Sequence, residues 1–120
     1  MSDSETWYHG SPLQLSILRA GSTITRNRDL ARVFSHKPPI VSIDDDGTIR
    51  HTGTRPGYLY RIDEPLGPED VTLHPRTTMQ PGLEWLTGRE LRLSLIGPTD
   101  VRPEEFLTEA QVAELQRSIQ

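Results

Sequence analysis

The order of local signals along the chain predicts an α+β domain. Three observations carry this reading: an aromatic strand-like start followed by one helical stripe, a middle region of alternating extended segments, and a strongly capped helix near the C-terminus. Strands and helices do not alternate as a parallel βαβ fold requires. At 120 residues the chain has the size of one ordinary domain, expected to span 1–120. Hydrophobic residues make up only 33% and aromatics 6%, so a thin core with long loops is expected.

"TWYH" (6–9) reads as a short strand, and "LSIL" (15–18) leads into "AGSTIT", where Gly21 permits a turn into a second extended piece. The first helix follows. Asn27 or Thr25 caps its start, Asp29 sits in its first turn, and Leu30, Val33 and Phe34 form one apolar stripe until Pro38 and Pro39 stop it. Residues 42–57, "SIDDDGTIRHTGTRPG", are polar and rich in turn formers, which predicts a long surface loop, a loose hairpin or a mobile lid.

"GYLYRI" (57–62) alternates Tyr58 and Tyr60 against Leu59 and Arg61, as a strand does. "VTL" suits a brief edge strand, "HPRTTMQPG" a loop, and "LEWLT" and "ELRLSLI" two extended segments broken at Gly88. Thr108 with Gln111 makes a capping box, and Leu107 is placed to staple onto Val112, so residues 109–119 are expected to be helical.

A net charge of −4 gives no general attraction to nucleic-acid backbones. Without cysteine there is neither a disulfide framework nor thiolate chemistry, and the four histidines lack metal-ligand spacing, so no metal is expected. "MSDSET" carries no apolar run of the kind a signal peptide or membrane span needs, which makes a cytoplasmic monomer without membrane attachment the expectation. No phosphate-binding loop, GxGxxG, GxSxG or HExxH motif is present. Asp44, Asp45 and Asp46 lack the ligand spacing and distal glutamate of a calcium loop and read as a solvated turn.

Three pieces then belong together: "WYHGS" (7–11), "GSTITRNRDLARVFSH" (21–36) and "GLEWLTGRELRL" (82–93). In order and approximate spacing they resemble the three motifs of the ADP-ribosyltransferase fold of the His-Tyr-Glu type. "GYLYRIDEPLGPED" further resembles a stretch of the small rifampin ADP-ribosyltransferases. The resemblance implies a split β-sheet core with one short internal helix and a C-terminal helix. It also implies NAD as the substrate, cleavage of the nicotinamide–ribose bond, and transfer of ADP-ribose to an acceptor that is a small molecule, a protein or a nucleic acid.

The residue types suit such chemistry, because the transition state has oxocarbenium character and a carboxylate near the ribose stabilises the developing charge. By resemblance Glu84 is that carboxylate and His9 bonds a ribose hydroxyl. Gly10 and neighbouring Ser11 let the nicotinamide amide approach the backbone, and Phe34 packs on the nicotinamide ring. Asp70 in "GPED" matches the acid of the rifampin-modifying relatives and rivals Glu84. The family's central tyrosine is replaced by Thr23, so Thr23 or Thr25 contributes a hydrogen bond but no ring, with Tyr58 or Tyr60 as further candidates to reach the pocket.

Other readings stay open. His9 also suits a half-buried strand histidine, Phe34 core packing, and Glu84 a surface partner of Arg89 or Arg92. The domain also suits a noncatalytic binding module, or an enzyme like the RNA 2′-phosphotransferases using Arg19, Arg26, Arg28 and Arg32. Trp7 and Trp85 are expected in the core; His36, His51 and His74 fall in expected loops and receive no role.

Overall fold

The computed structural model describes residues 6–38, 40–75 and 82–119. The opening "MSDSE", Pro39 and most of the loop expected over 74–82 lie outside these residues. One sheet has the order β1-β6-β9-β2, all antiparallel: β1 (Tyr8–Ser11), β6 (Gly57–Ile62), β9 (Leu91–Thr99) and β2 (Ile17–Leu18). A second has the order β3-β8-β7, from β3 (Thr23–Ile24), β8 (Trp85–Thr87) and β7 (Val71–Leu73). A hairpin joins β4 (Val41–Ile43) to β5 (Ile49–His51), and two α-helices, α1 (Arg28–Phe34) and α2 (Glu109–Ile119), complete the α+β fold, whose strands curl into a half-barrel.

Local chemistry accounts for the helix ends. The Asn27 side chain accepts the Leu30 amide at 3.0 Å, while Thr25 accepts the Asn27 amide at 3.1 Å, so Asn27 is the cap and Thr25 supports it. At α2 the Thr108 hydroxyl accepts the Gln111 amide at 3.1 Å and the Gln111 side chain accepts the Thr108 amide at 2.8 Å, the reciprocal box its sequence predicts. The polar stretch from 42 resolves into a hairpin and not an open loop. Asp44 and Thr48 pair across its turn and Gly47 takes φ +89°, which an L side chain resists.

Two apolar clusters hold the elements together. Trp7, Leu18, Ile24, Ile62 and Leu91 join the two larger sheets, with Trp85 packed against them and edge-on to Trp7 at 5.6 Å. Each such side chain fully buried contributes roughly 1.5–3 kcal/mol before entropy is counted. Leu30 and Val33 of α1 bury against Ile49 of the hairpin. The helix can lie this close to β1 because Gly10 has no side chain: a Cβ there would stand 1.8 Å from the Ala31 carbonyl oxygen.

The segment before α2 is tied back to α1. Glu105 receives both terminal nitrogens of the buried Arg32 guanidinium, at 3.0 and 2.5 Å, a fork geometry that lysine could not supply. His36 falls in the turn after α1, whereas His51, expected in a loop, does not lie in one; both are fully buried and stacked with ring centroids 5.5 Å apart. His51 lies on β5, where its backbone carbonyl accepts the Leu107 amide and its ring meets Phe106 edge-on. Among the described residues no helix is long and apolar enough to cross a membrane.

Candidate functional site

The two larger sheets touch through one backbone exchange and then separate. Tyr8 and Thr25 donate to each other's carbonyls at 2.7 and 3.0 Å. In an antiparallel pair the next exchange would fall two residues on, between Gly10 and Thr23. It is not made. The Thr23 carbonyl instead accepts from Nδ1 of the His9 imidazole at 2.8 Å, so a side chain takes the place of a backbone donor where the strands part. Because alternate residues present their backbone groups to the same side, the Gly10 N–H and C=O face the opening that results.

This opening is a cleft of about 420 Å³ lined by His9, Gly10, Ser22, Thr23, Phe34, Lys37, Pro38 and Glu84. His9 and Glu84, from opposite ends of the resemblance, therefore meet at one cleft, with Thr23 and Phe34 between them in the chain and beside them in space. Glu84 directly precedes β8, and its carbonyl accepts the His74 amide at 3.1 Å, which sets the backbone at that point. Phe34, the last residue of α1, serves twice: it packs against the Leu30, Val33 and Ile49 cluster and lines the cleft.

A carbonyl oxygen only accepts, so the His9 Nδ1 carries a proton, and in the neutral ring Nε2 is left as an acceptor. Burial holds the His9 pKa below its ordinary 6.5; the Thr23 hydrogen bond works against that shift and the charge of Lys37 adds to it. At neutral pH the ring is accordingly uncharged, suited to receive a hydroxyl proton and not to hold an anion. Among the described residues the formal charges lining the cleft are then Lys37 and Glu84.

Other expected site residues are held elsewhere. Ser11 is buried, its hydroxyl accepting the Leu13 amide at 3.1 Å, and Thr25 is buried beneath the α1 cap; neither lines the cleft. Tyr58 and Tyr60 are also outside it, the Tyr60 hydroxyl being fixed between the Leu13 carbonyl and the Leu15 amide. Asp70 closes a turn by accepting the Gly67 amide at 2.8 Å and pairs with Arg89 at 3.0 Å; these contacts hold its carboxyl below the usual carboxylate value. Arg89 and Arg92 both reach Glu64. Of the four arginines, Arg28 and Arg32 share another hollow along α1, where Arg32 is bound by Asp29 and Glu105, Arg26 lies over the Trp7 and Trp85 rings, and none of the four lines this cleft.

Ser22, Lys37 and Pro38 are cleft residues that the sequence reading did not single out. A proline there signals only a helix stop, and a lysine behind a helix carries no signal of its own. A larger hollow of about 650 Å³ runs along α1 and the end of β9, lined by Arg28, Arg32, Leu59 and Thr99 among others, but it contains no histidine and none of the motif residues in the binding roles above. Among the described residues no group of acids and histidines is arranged to hold a metal. No family model, curated protein or solved structure matches the chain.

Proposed function

We propose that the cleft binds NAD and that the protein is an ADP-ribosyltransferase, cleaving the nicotinamide–ribose bond and passing ADP-ribose to an acceptor. The observation that carries this reading is the convergence of His9, Thr23, Phe34 and Glu84 on one opening at the parting of two sheets. That parting supports reading the sheets as the split β-sheet core of the motif resemblance.

The roles follow from chemistry. The Gly10 N–H and C=O present one donor and one acceptor, the complement of a carboxamide, while Phe34 offers a face to the pyridinium. His9, oriented by Thr23, receives a ribose hydroxyl on Nε2. In this reading Glu84 stabilises the sugar as positive charge develops, a contribution of about two to three powers of ten when a comparable electrostatic group is removed. Departure of neutral nicotinamide leaves the acceptor or water to complete the transfer.

Thr23 favours a second reading, a binding module that retained the cleft, since the threonine supplies no second stacking face. Titration of NAD against the fluorescence of Trp7 and Trp85 tests both. The wild-type protein should bind NAD, and Thr23→Tyr should tighten binding by about two- to tenfold, the worth of roughly 0.5–1.5 kcal/mol of stacking. Failure of NAD to bind the folded wild-type protein would overturn the NAD reading; binding without turnover would select the module.

A further inference from the structure

We infer that Lys37 is the anion-binding residue of this cleft and that the anion is the diphosphate of the dinucleotide, an assignment that rests on the NAD reading. Lys37 follows α1 in the left-handed conformation, with φ +55°, the only non-glycine residue with positive φ among the described residues. Lysine has no preference for that region; glycine and asparagine do. The left-handed residue terminates α1, its amide donating to the Phe34 carbonyl at 3.1 Å, and this turn sets Lys37 beside the cleft.

Three further observations indicate what the side chain does. It lines the cleft with His9, Phe34 and Glu84, so its charge is available to the same ligand. Its ammonium has no ion pair among the described residues, in contrast to Arg32 and Arg89, each held by two carboxylates. Its charge also acts on His9, opposing protonation of that ring. With His9 neutral, Lys37 is the positive group among the described residues that line the cleft, and a diphosphate is the doubly anionic part of the proposed substrate. An ammonium on a flexible stem suits such a target as a point charge.

Binding of three probes separates this assignment from the reading beneath it: NAD, ADP-ribose, which keeps the diphosphate but lacks nicotinamide, and nicotinamide, which has no phosphate. Lys37→Gly removes the ammonium and suits the backbone, so its thermal midpoint should be at or above that of the wild type. ADP-ribose and NAD should each bind about tenfold more weakly, the worth of one charge-assisted contact in a partly screened site, while nicotinamide affinity stays within about twofold. Raising NaCl should weaken ADP-ribose binding to the wild type and scarcely change binding to the variant. Lys37→Arg should recover most of the loss, and Lys37→Asn, which also tolerates the backbone, should behave as Lys37→Gly.

Unchanged ADP-ribose affinity in Lys37→Gly would overturn the assignment and leave the NAD reading standing. An equal loss for nicotinamide would also overturn it, by showing a general change of cleft shape. A wild-type protein that binds none of the three would end both.

Discussion

Replacing Gly10 with alanine adds one methyl group where β1 meets α1, and its cost can be worked from the geometry. The new Cβ would stand 1.8 Å from the Ala31 carbonyl oxygen and 2.8 Å from the Ser35 nitrogen, both backbone atoms that no rotamer change can move. Relief therefore requires α1 to lift from the sheet and to loosen Leu30 and Val33 from Ile49. Overpacking of a core costs typically about 1–3 kcal/mol, and a backbone obstacle places this case at the upper end, roughly 3 kcal/mol. For a domain of this size that corresponds to a fall in Tm of about 10 °C or more. Gly97→Ala is the matched control, because a Cβ there meets nothing within 4 Å, and its effect should stay within about 0.5 kcal/mol. Urea and thermal unfolding followed by circular dichroism measure both. A Gly10→Ala midpoint within about 1 °C of wild type would refute the packing account and return Gly10 to a role in ligand approach alone.

Asp70→Asn should leave nicotinamide release within about twofold of wild type, since Asp70 is committed to a turn and to Arg89; abolished turnover would make Asp70 the acid in place of Glu84. Stability should fall in two stages on acidification. Burial holds the His51 pKa below 6.5, so its neutral form favours folding above that pH and the advantage is lost as pH drops from 6.5 through the lower folded value, by at most about 1.4 kcal/mol per pH unit for each proton. His9 acts in the same direction. Burial pushes the Glu105 carboxyl up, but the Arg32 hydrogen bonds and charge outweigh it, leaving the pKa below 4.5; its contribution is present above 4.5 and lost below, as the Arg32 clasp releases. A urea midpoint unchanged between about pH 7.5 and pH 5.5 would contradict the first stage.

The helices were legible because their signals are local. Asn27 caps α1 and the Thr108–Gln111 box opens α2 where the residue types require. β9 runs beyond the expected segment to Thr99, through Gly97 and Pro98; bonding on its β2 side ends with the Leu93 amide donating to the Ser16 carbonyl, and past that point this side of β9 is an edge, where a proline costs no ladder hydrogen bond. The burial of His36 and His51 had no local signal, since it depends on the hairpin folding over the end of α1 and on Phe106 closing from far along the chain. Within the cleft, His9, Thr23, Phe34 and Glu84 were readable as an ordered set of motifs. Ser11, Thr25 and Asp70 sit close to those motifs in sequence or resemblance but meet other partners, and Tyr58 lies outside the cleft, since neighbours in a strand face opposite sides. Lys37 needed the backbone angle to be noticed at all.

In the proposed function Glu84 acts on NAD in the cleft it shares with His9. Release of nicotinamide from NAD, separated by chromatography, tests it most directly when wild type is compared with Glu84→Gln, a change that keeps shape and removes charge. The wild-type protein should release nicotinamide, with or without an acceptor, and Glu84→Gln should bind NAD with similar affinity yet release nicotinamide about a hundredfold more slowly or less. Equal rates from the two proteins would contradict the claim.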